Sequence, residues 1–173
     1  MSVPKTERLL RFAIVVLTFT FVFVIATTLR EKVITVGDSA PDFSITADNG
    51  RTFTTANFGG RLLVLNFWAT WCPPCVEETP SLSRFAAQMA PSGVVVLAIS
   101  VDKDERAYRA FLQRMKPAFQ VARDPGAKIN ADFGTFKYPE TYVIDSHGKV
   151  LRKFISDQPW DSENMLSDIK SLL

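Results

Sequence analysis

Two cysteines lie three positions apart where a predicted strand meets a predicted helix. Cys72 and Cys75 are the only cysteines among the 173 residues. The apolar run at 62–68 is typical of a buried strand, and the residues from Pro73 onward are typical of a first helical turn. Cysteines at this spacing are close enough to form a disulfide, and the free N–H groups at a helix N-terminus favour the thiolate of the first one. The pair is therefore predicted to cycle between dithiol and disulfide.

Other uses of a Cys-x-x-Cys pair fit the chain less well. A structural zinc site usually has four Cys or His ligands, and besides the two cysteines the chain offers only His147. Haem attachment would require His after the second cysteine, where Val76 stands. A purely structural disulfide across so short a loop would remove little entropy from the unfolded chain. We expect redox chemistry with no metal and no organic cofactor.

The N-terminal segment predicts a membrane anchor. Phe12 to Leu29 is an uncharged run of eighteen residues, and as a helix it would span about 27 Å of the ~30 Å hydrocarbon core. A cleaved signal peptide usually has a shorter apolar region followed by small residues, and Ala26-Thr27-Thr28 matches that pattern poorly. We favour an uncleaved anchor over a cleaved signal.

The charges around this run predict its orientation. Three basic residues precede it and two, Arg30 and Lys32, follow it, so the positive-inside rule places the N-terminus in the cytoplasm. The rest of the chain would then lie on the extracytoplasmic (periplasmic) side of the cell inner membrane, where disulfides persist. The predicted segments are a cytoplasmic N-terminus at 1–11, a transmembrane anchor at 12–29, a linker at 30–41 and one domain at 42–173.

The charge distribution argues against a nucleic-acid partner. The whole chain carries a net charge of +2, but residues 33–173 contain fifteen basic and sixteen acidic side chains. The basic excess therefore belongs to the membrane segment and its flanks, and no basic patch is left to bind phosphates. The 141 residues after position 32 are enough for one domain with a substantial core.

Strand and helix patterns alternate along the predicted domain. Asp48-Asn49-Gly50 indicates a hairpin turn between the first two strands. The order of the patterns predicts an α/β sandwich with a mixed sheet. Candidate strands lie at 43–46, 52–54, 62–69, 94–101, 119–122, 141–145 and 149–155, and candidate helices at 73–89 (interrupted by Pro80), 104–115, 127–133 and 162–172.

Two segments resemble a known family. Residues 66–80 read Asn-Phe-Trp-Ala-Thr-Trp-Cys-Pro-Pro-Cys-Val-Glu-Glu-Thr-Pro, and residues 137–145 read Lys-Tyr-Pro-Glu-Thr-Tyr-Val-Ile-Asp. Both are similar to the thioredoxin-like fold, and within it to the membrane-anchored TlpA/ResA/CcmG type of bacterial thiol-disulfide oxidoreductase. The resemblance covers about residues 36–173. It implies a central mixed β-sheet flanked by helices, with an added N-terminal β-hairpin and a helix-strand insert at 104–122.

The resemblance also implies a reaction. Its members reduce disulfides of protein substrates outside the cytoplasmic membrane, and in several of them the target is apocytochrome c. Cys72 matches the exposed attacking thiol and Cys75 the resolving thiol. Each cycle would leave the pair oxidised, so the resemblance implies a membrane reductant of the CcdA or DsbD kind. Pro73 and Pro74 suit the first turn of a helix and would stiffen the loop.

A proton shuttle is the next expectation. Plain thioredoxin has a buried acid in the strand before the cysteines, but Asn66 stands there, and Asn cannot take a proton. Glu78 matches the acidic residue of ResA-like proteins, and partial burial would raise its pKa toward neutrality. A solvated surface glutamate, as we expect Glu77 to be, is the alternative.

The second matching segment predicts a substrate-binding loop. Pro139 resembles the cis-proline that lies beside the cysteine pair in this fold; a trans proline opening an edge strand is the alternative. The backbones of Tyr138 and Glu140 would then pair with an extended substrate segment. Trp71, together with Pro73, would form an exposed apolar rim for the substrate, whereas Trp68 is predicted to be core.

Three other functions stay open. A thiol oxidase shares the same cysteine motif and is distinguished by its redox potential. A peroxiredoxin-like peroxidase requires Pro-x-x-x-Thr/Ser-x-x-Cys, but Leu65 and Ala69 stand where Pro and Thr or Ser would fall. A non-catalytic membrane-tethered adaptor on a thioredoxin scaffold would not need the cysteine pair.

Overall fold

The chain forms two units, divided between residues 32 and 33. The computed structural model describes residues 5–28 and 33–173. The first unit is helix α1 (Lys5–Thr28), in which Thr6–Ile25 has the length and hydropathy needed to cross a membrane. This helix is compatible with the predicted single-pass anchor. Leu29 and the flanking charges Arg30 and Lys32, which the orientation argument used, lie outside the described residues.

The second unit is an α/β domain whose elements fall within a few residues of the predicted positions. The strands of the domain are β1 (Ser44–Thr46), β2 (Thr52–Thr54), β3 (Leu62–Trp68), β4 (Val94–Ser100), β5 (Gln120–Arg123), β6 (Glu140–Asp145) and β7 (Val150–Ile155), and its helices are α2 (Pro73–Met89), a 3-10 turn (Ala90–Ser92), α3 (Glu105–Met115), α4 (Lys128–Asp132) and α5 (Glu163–Lys170). Helix α2 runs to Met89 without the predicted interruption, although Pro80 lies inside it.

Five strands form the predicted mixed sheet, in the order β5-β4-β3-β6-β7. Strand β4 runs parallel to both β3 and β5, whereas β6 is antiparallel to β3 and to β7. The near-continuous apolar runs of β3 and β4 place these strands at the centre, because both faces of a central strand are covered. The predicted hairpin, β1 and β2, forms a separate two-stranded sheet.

Alternate side chains of β3 enter two different cores. Leu65 and Phe67 pack on one face with Phe53 of the hairpin. Val64 packs on the opposite face with Phe85 of α2 and with residues of α5. This period-2 alternation fixes the register of the central strand. The C-terminal end of β3, and the cysteines that follow it, therefore lie at a defined edge of the sheet.

The predicted linker at 30–41 is wrong for residues 33–41, which belong to the domain; residues 30–32 lie outside the described residues. Ile34 is fully buried, and its N–H donates to the carbonyl of Phe133 at 3.1 Å. Farther along, the Gly37 N–H donates to the carbonyl of Val150 at 2.8 Å. The domain thus buries the side chain of Ile34 and accepts the hydrogen bonds of the segment's backbone N–H groups. In a free linker these groups would be exposed to water.

Candidate active site

The two cysteines form a disulfide at the N-terminus of α2. Cys72 is the N-cap residue, with extended backbone angles (φ −101°, ψ 103°), and its Sγ accepts the N–H of Cys75 at 3.3 Å. The Cα atoms of the pair are 5.3 Å apart, within the normal range for a disulfide. Pro73 and Pro74 occupy the first two helical positions, where a missing N–H costs nothing.

The disulfide is more covered than the sequence predicted. Cys72 was expected to be exposed, but it is only 5% exposed, compared with 1% for Cys75. The Cys72 side chain is bonded to Cys75 and lies in a packed cluster with Trp68 and Ala69, against which Tyr138 also packs. Trp71 beside it is 65% exposed and Pro73 is exposed as well, so the predicted apolar rim is present.

Glu78 is buried in the first turns of α2, one helical turn beyond Cys75. It is 4% exposed, whereas its neighbour Glu77 lies on the surface. Desolvation raises the pKa of Glu78 from 4.5 to about 7, the charge of Asp157 adds to the rise, and hydrogen bonds to the carboxylate oppose it. At neutral pH both protonation states are therefore populated, and the surface alternative for Glu78 is excluded.

Three donors hold the carboxylate of Glu78. The Asn66 amide donates to Oε1 at 2.9 Å, the Trp160 indole N–H donates to Oε2 at 2.9 Å, and the Gln158 N–H donates to Oε2 at 3.3 Å. Asn66 also contacts the Thr141 hydroxyl at 2.9 Å. The residue that replaces the buried acid of plain thioredoxin therefore serves as a donor to the acid on α2.

Sequence reasoning missed Trp160 and Gln158. They lie in the connection between β7 and α5, about eighty positions after Glu78. The available signal was Trp160 itself, an aromatic residue within the polar stretch 156–164. That signal indicates burial, but it does not identify the partner.

The predicted cis-proline loop lies next to the rim. The Tyr138–Pro139 peptide bond is cis. The Tyr138 ring contacts Trp71 edge-on, with ring centroids 5.8 Å apart, so the loop reaches the residue preceding Cys72. Within the described part of the chain the backbone N–H and C=O of Tyr138 make no hydrogen bond, and both are free to pair with an added strand.

The substrate-pairing role predicted for Glu140 is wrong. Glu140 is fully buried in β6, opposite Phe67 of β3 on one side and Ile155 of β7 on the other. Its backbone therefore lies inside the sheet, where a substrate strand has no access. Its carboxylate instead accepts the Lys153 ammonium at 2.7 Å and the Tyr142 hydroxyl at 2.5 Å, and it ties β6 to β7 behind the loop.

Comparison with known proteins agrees with this geometry. A model of the Redoxin family matches residues 35–173. The chain belongs to this family. A thiol-disulfide oxidoreductase ResA from Bacillus thuringiensis subsp. konkukian is 31% identical over 129 residues, which are 75% of each chain. The thioredoxin-like protein YneN of Bacillus subtilis is 35% identical over 123 residues, 70% of this chain and 72% of that one.

A solved structure gives the same result for the fold. The thiol:disulfide interchange protein DsbE from Chlorobium tepidum superimposes with a TM-score of 0.73 and 29% identity, over 80% of this chain and 98% of that one. With Cys72 and Cys75 joined at the helix start, this member of the Redoxin family is a thiol-disulfide oxidoreductase of the ResA/DsbE type with a thioredoxin-like fold.

Proposed function

We propose that the protein acts mainly as a reductase of protein disulfides, anchored by α1 with its catalytic domain outside the cytoplasmic membrane. The observation that carries the proposal is the pairing of a helix-tip dithiol with a buried acid, Glu78, whose pKa is about 7. An acid with this pKa can both accept and release a proton near neutral pH. A dithiol reductase requires such a group, because its second thiol must lose a proton before it attacks.

The reaction begins with the Cys72 thiolate. It attacks one sulfur of the substrate disulfide, which forms a mixed disulfide and releases the other substrate sulfur as a thiolate that takes up a proton. Cys75 then loses its proton and attacks the Cys72 sulfur. This second step releases the remaining substrate sulfur as a thiol and leaves the Cys72–Cys75 disulfide, so two electrons have passed to the substrate.

Glu78 is the proposed acceptor of the Cys75 proton. Both side chains are buried and one helical turn apart on α2, so water gives little help with the transfer. The donors on Glu78 favour its ionised form while burial favours its neutral form. A carboxylate balanced between the two can take the proton during the attack and return it when the pair is reduced again.

The substrate segment is proposed to lie between Trp71 and Tyr138. The unpaired backbone of Tyr138 would hydrogen-bond an extended chain, and the exposed indole of Trp71 would cover its apolar side chains. Pro139 would hold this loop against Cys72. An unfolded segment with an accessible disulfide fits the arrangement, and apocytochrome c before haem attachment is the substrate that the family resemblance suggests.

The location and the electron source follow from the same reasoning. Extracytoplasmic placement is supported by the apolar α1 and by the basic residues that precede it. Outside the membrane the oxidised pair needs an electron donor that crosses the bilayer, and we propose a membrane protein of the CcdA or DsbD kind. The reaction as written uses neither a metal nor an organic cofactor, so we propose that none is required.

The redox potential tests the direction of the reaction. Equilibration of the full-length protein with defined thiol–disulfide buffers should give a value closer to the roughly −270 mV of thioredoxin than to the roughly −120 mV of the oxidant DsbA. A value at the oxidising end would favour the thiol oxidase instead.

Covalent trapping tests the substrate. Cys75→Ser removes the resolving thiol, so Cys72 should remain joined to its substrate in the native cell envelope. The matched control is Cys72→Ser, because the more deeply buried Cys75 should capture little. An attached apocytochrome c carrying Cys-x-x-Cys-His would support the maturation role, and a spread of unrelated proteins would indicate a general reductase. No capture above the control would favour the tethered adaptor.

A further inference from the structure

A buried carboxylate holds the turn that leads into Cys72. Residues 69–72 form a β-turn in which the Cys72 N–H donates to the Ala69 carbonyl at 3.3 Å. Asp102, which follows the C-terminal end of β4, is 2% exposed and lies beside this turn. Its Oδ2 accepts the Thr70 N–H at 2.9 Å and its Oδ1 accepts the Thr70 hydroxyl at 2.7 Å. The two bonds fix both the backbone and the side chain of Thr70.

The carboxylate is itself held rigidly. The Ser100 hydroxyl donates to Oδ2 of Asp102 at 2.6 Å, and the Asp102 N–H donates back to the Ser100 oxygen at 3.0 Å. The Val101 N–H donates to the Trp68 carbonyl at 3.0 Å, so the ends of β3 and β4 are tied together at the same place. Three donors on one buried carboxylate compensate its desolvation. Asp102 therefore anchors Thr70 to the ends of β3 and β4.

Hydrogen bonds rather than packing hold the turn on this side. A groove of about 480 Å³ opens along Thr70 and Trp71 and is lined further by the segment from Val101 to Asp104 and by Ala107 of α3. On the side of the groove, no side chain of the described residues packs over the turn. Trp71, the second central residue of the turn, projects into solvent, and Cys72 directly follows it. The bonds to Thr70 therefore restrain the backbone of both residues, in addition to the ring contact between Trp71 and Tyr138 and the bond from the Cys75 N–H to the Cys72 sulfur.

We propose that Asp102 is a positioning residue for the dithiol, which acts through Thr70 to fix the 69–72 turn and thereby the approach to Cys72 and the stability of its thiolate. A looser turn would let Cys72 move away from the N–H groups at the start of α2, and the thiolate would lose part of their stabilisation. The inference rests on the proposed function, because it concerns the attacking thiol of that reaction.

Thr70→Val tests this in the reduced full-length protein. Valine keeps the branched shape and the backbone bond, but it removes the hydroxyl donor. The substitution changes no charged group. Asp102, Lys103 and Asp104 along the groove, Glu78 on α2, and Arg123 of β5, whose guanidinium donates to the Asp102 carbonyl at 3.5 Å, all remain. The midpoint of the pH profile for Cys72 alkylation should rise, and the rate at neutral pH should fall about threefold to tenfold, equivalent to about half to one pK unit. Thr70→Ser should restore the wild-type profile.

Thr55→Val is the matched control. Thr55 is 6% exposed, and its hydroxyl donates to the Pro41 carbonyl at 2.7 Å and accepts the Phe43 N–H at 3.1 Å, in a part of the domain without contacts to the turn. This variant should lose stability without a shift in the alkylation profile. A Thr70→Val profile equal to that of the wild type, or an equal shift in Thr55→Val, would overturn the proposal. A wild-type protein that alkylates normally but reduces no protein disulfide would instead contradict the proposed function.

Discussion

Glu78→Gln should remove a pH dependence from the free energy of unfolding. The pKa of Glu78 is about 7 in the folded protein and 4.5 when it is fully solvated. Between these values the folded state binds one proton more than the unfolded state, so the stability of the wild type falls as the pH rises. The slope of about 1.4 kcal/mol per pH unit over this window amounts to roughly 3 kcal/mol in total, with no further loss above pH ~8.

The variant should instead carry a constant cost. Glutamine has no charge to desolvate, so the slope contributed by this site disappears. Its single carbonyl oxygen can accept the donor of Asn66 or that of Trp160, and its NH₂ group then faces the other donor. One poorly satisfied buried donor costs about 1–3 kcal/mol at every pH. Glu78→Gln should therefore be less stable than the wild type at pH 5, and the difference should vanish or reverse by pH 8.

Urea unfolding of the oxidised full-length protein in detergent measures this directly. Tryptophan fluorescence reports the catalytic domain alone, because all three tryptophans (Trp68, Trp71 and Trp160) lie after residue 33. Glu77→Gln is the control, since that exposed side chain should leave the pH dependence unchanged. A difference between wild type and Glu78→Gln that stays constant to within about 0.5 kcal/mol from pH 5 to pH 8 would refute the raised pKa.

Three further predictions follow from the site and the anchor. Reduced protein should be alkylated much faster at Cys72 than at Cys75, because only Cys72 lies at the N-terminus of α2; equal rates in a mass-spectrometric time course would contradict their roles. Trp160→Phe removes a donor that lowers the pKa of Glu78, so the pH midpoint of thiol reactivity should rise, and an unchanged or lower midpoint would count against the shuttle. The protein should stay in the membrane after carbonate extraction, and a soluble main form lacking the first ~30 residues would show that the segment is cleaved.

Local signals in the sequence were sufficient for the fold and for the dithiol. The runs of β3 and β4 are almost entirely apolar, without the polar residue at every second position of a surface strand, so they predict buried central strands. Cys72 at the junction of β3 and α2 predicts the reactive helix tip because strand, turn and helix signals follow one another directly. Glu78 and Pro139 were identified through the family resemblance, and the structure shows one buried and the other preceded by a cis bond.

The errors arose where the answer depends on long-range pairing. Glu140 was predicted to lie in the substrate-binding loop before the strand at 141–145, and only the sheet order shows that β7 pairs with it on its other side. Ile34 reads as part of a linker, and the carbonyl of Phe133 that it meets is almost a hundred positions away. The same limit hid Trp160 from the description of the Glu78 site. No periodicity within one segment contains these contacts, because they are set by the packing of separate elements.

Because residue 66 is an asparagine, it places no second acid beside the carboxyl group of Glu78. An acid at position 66 would lie within hydrogen-bonding distance of Glu78, and two such close carboxyl groups would share protons and titrate in two coupled steps. Asparagine occupies the same place as a donor at 2.9 Å and adds no charge. Together with Trp160 it opposes the desolvation of Glu78 and limits the rise of its pKa to about 7. Without these donors burial would favour the neutral form of Glu78 at physiological pH, and Glu78 would then be unsuited to the proposed role of proton acceptor for Cys75.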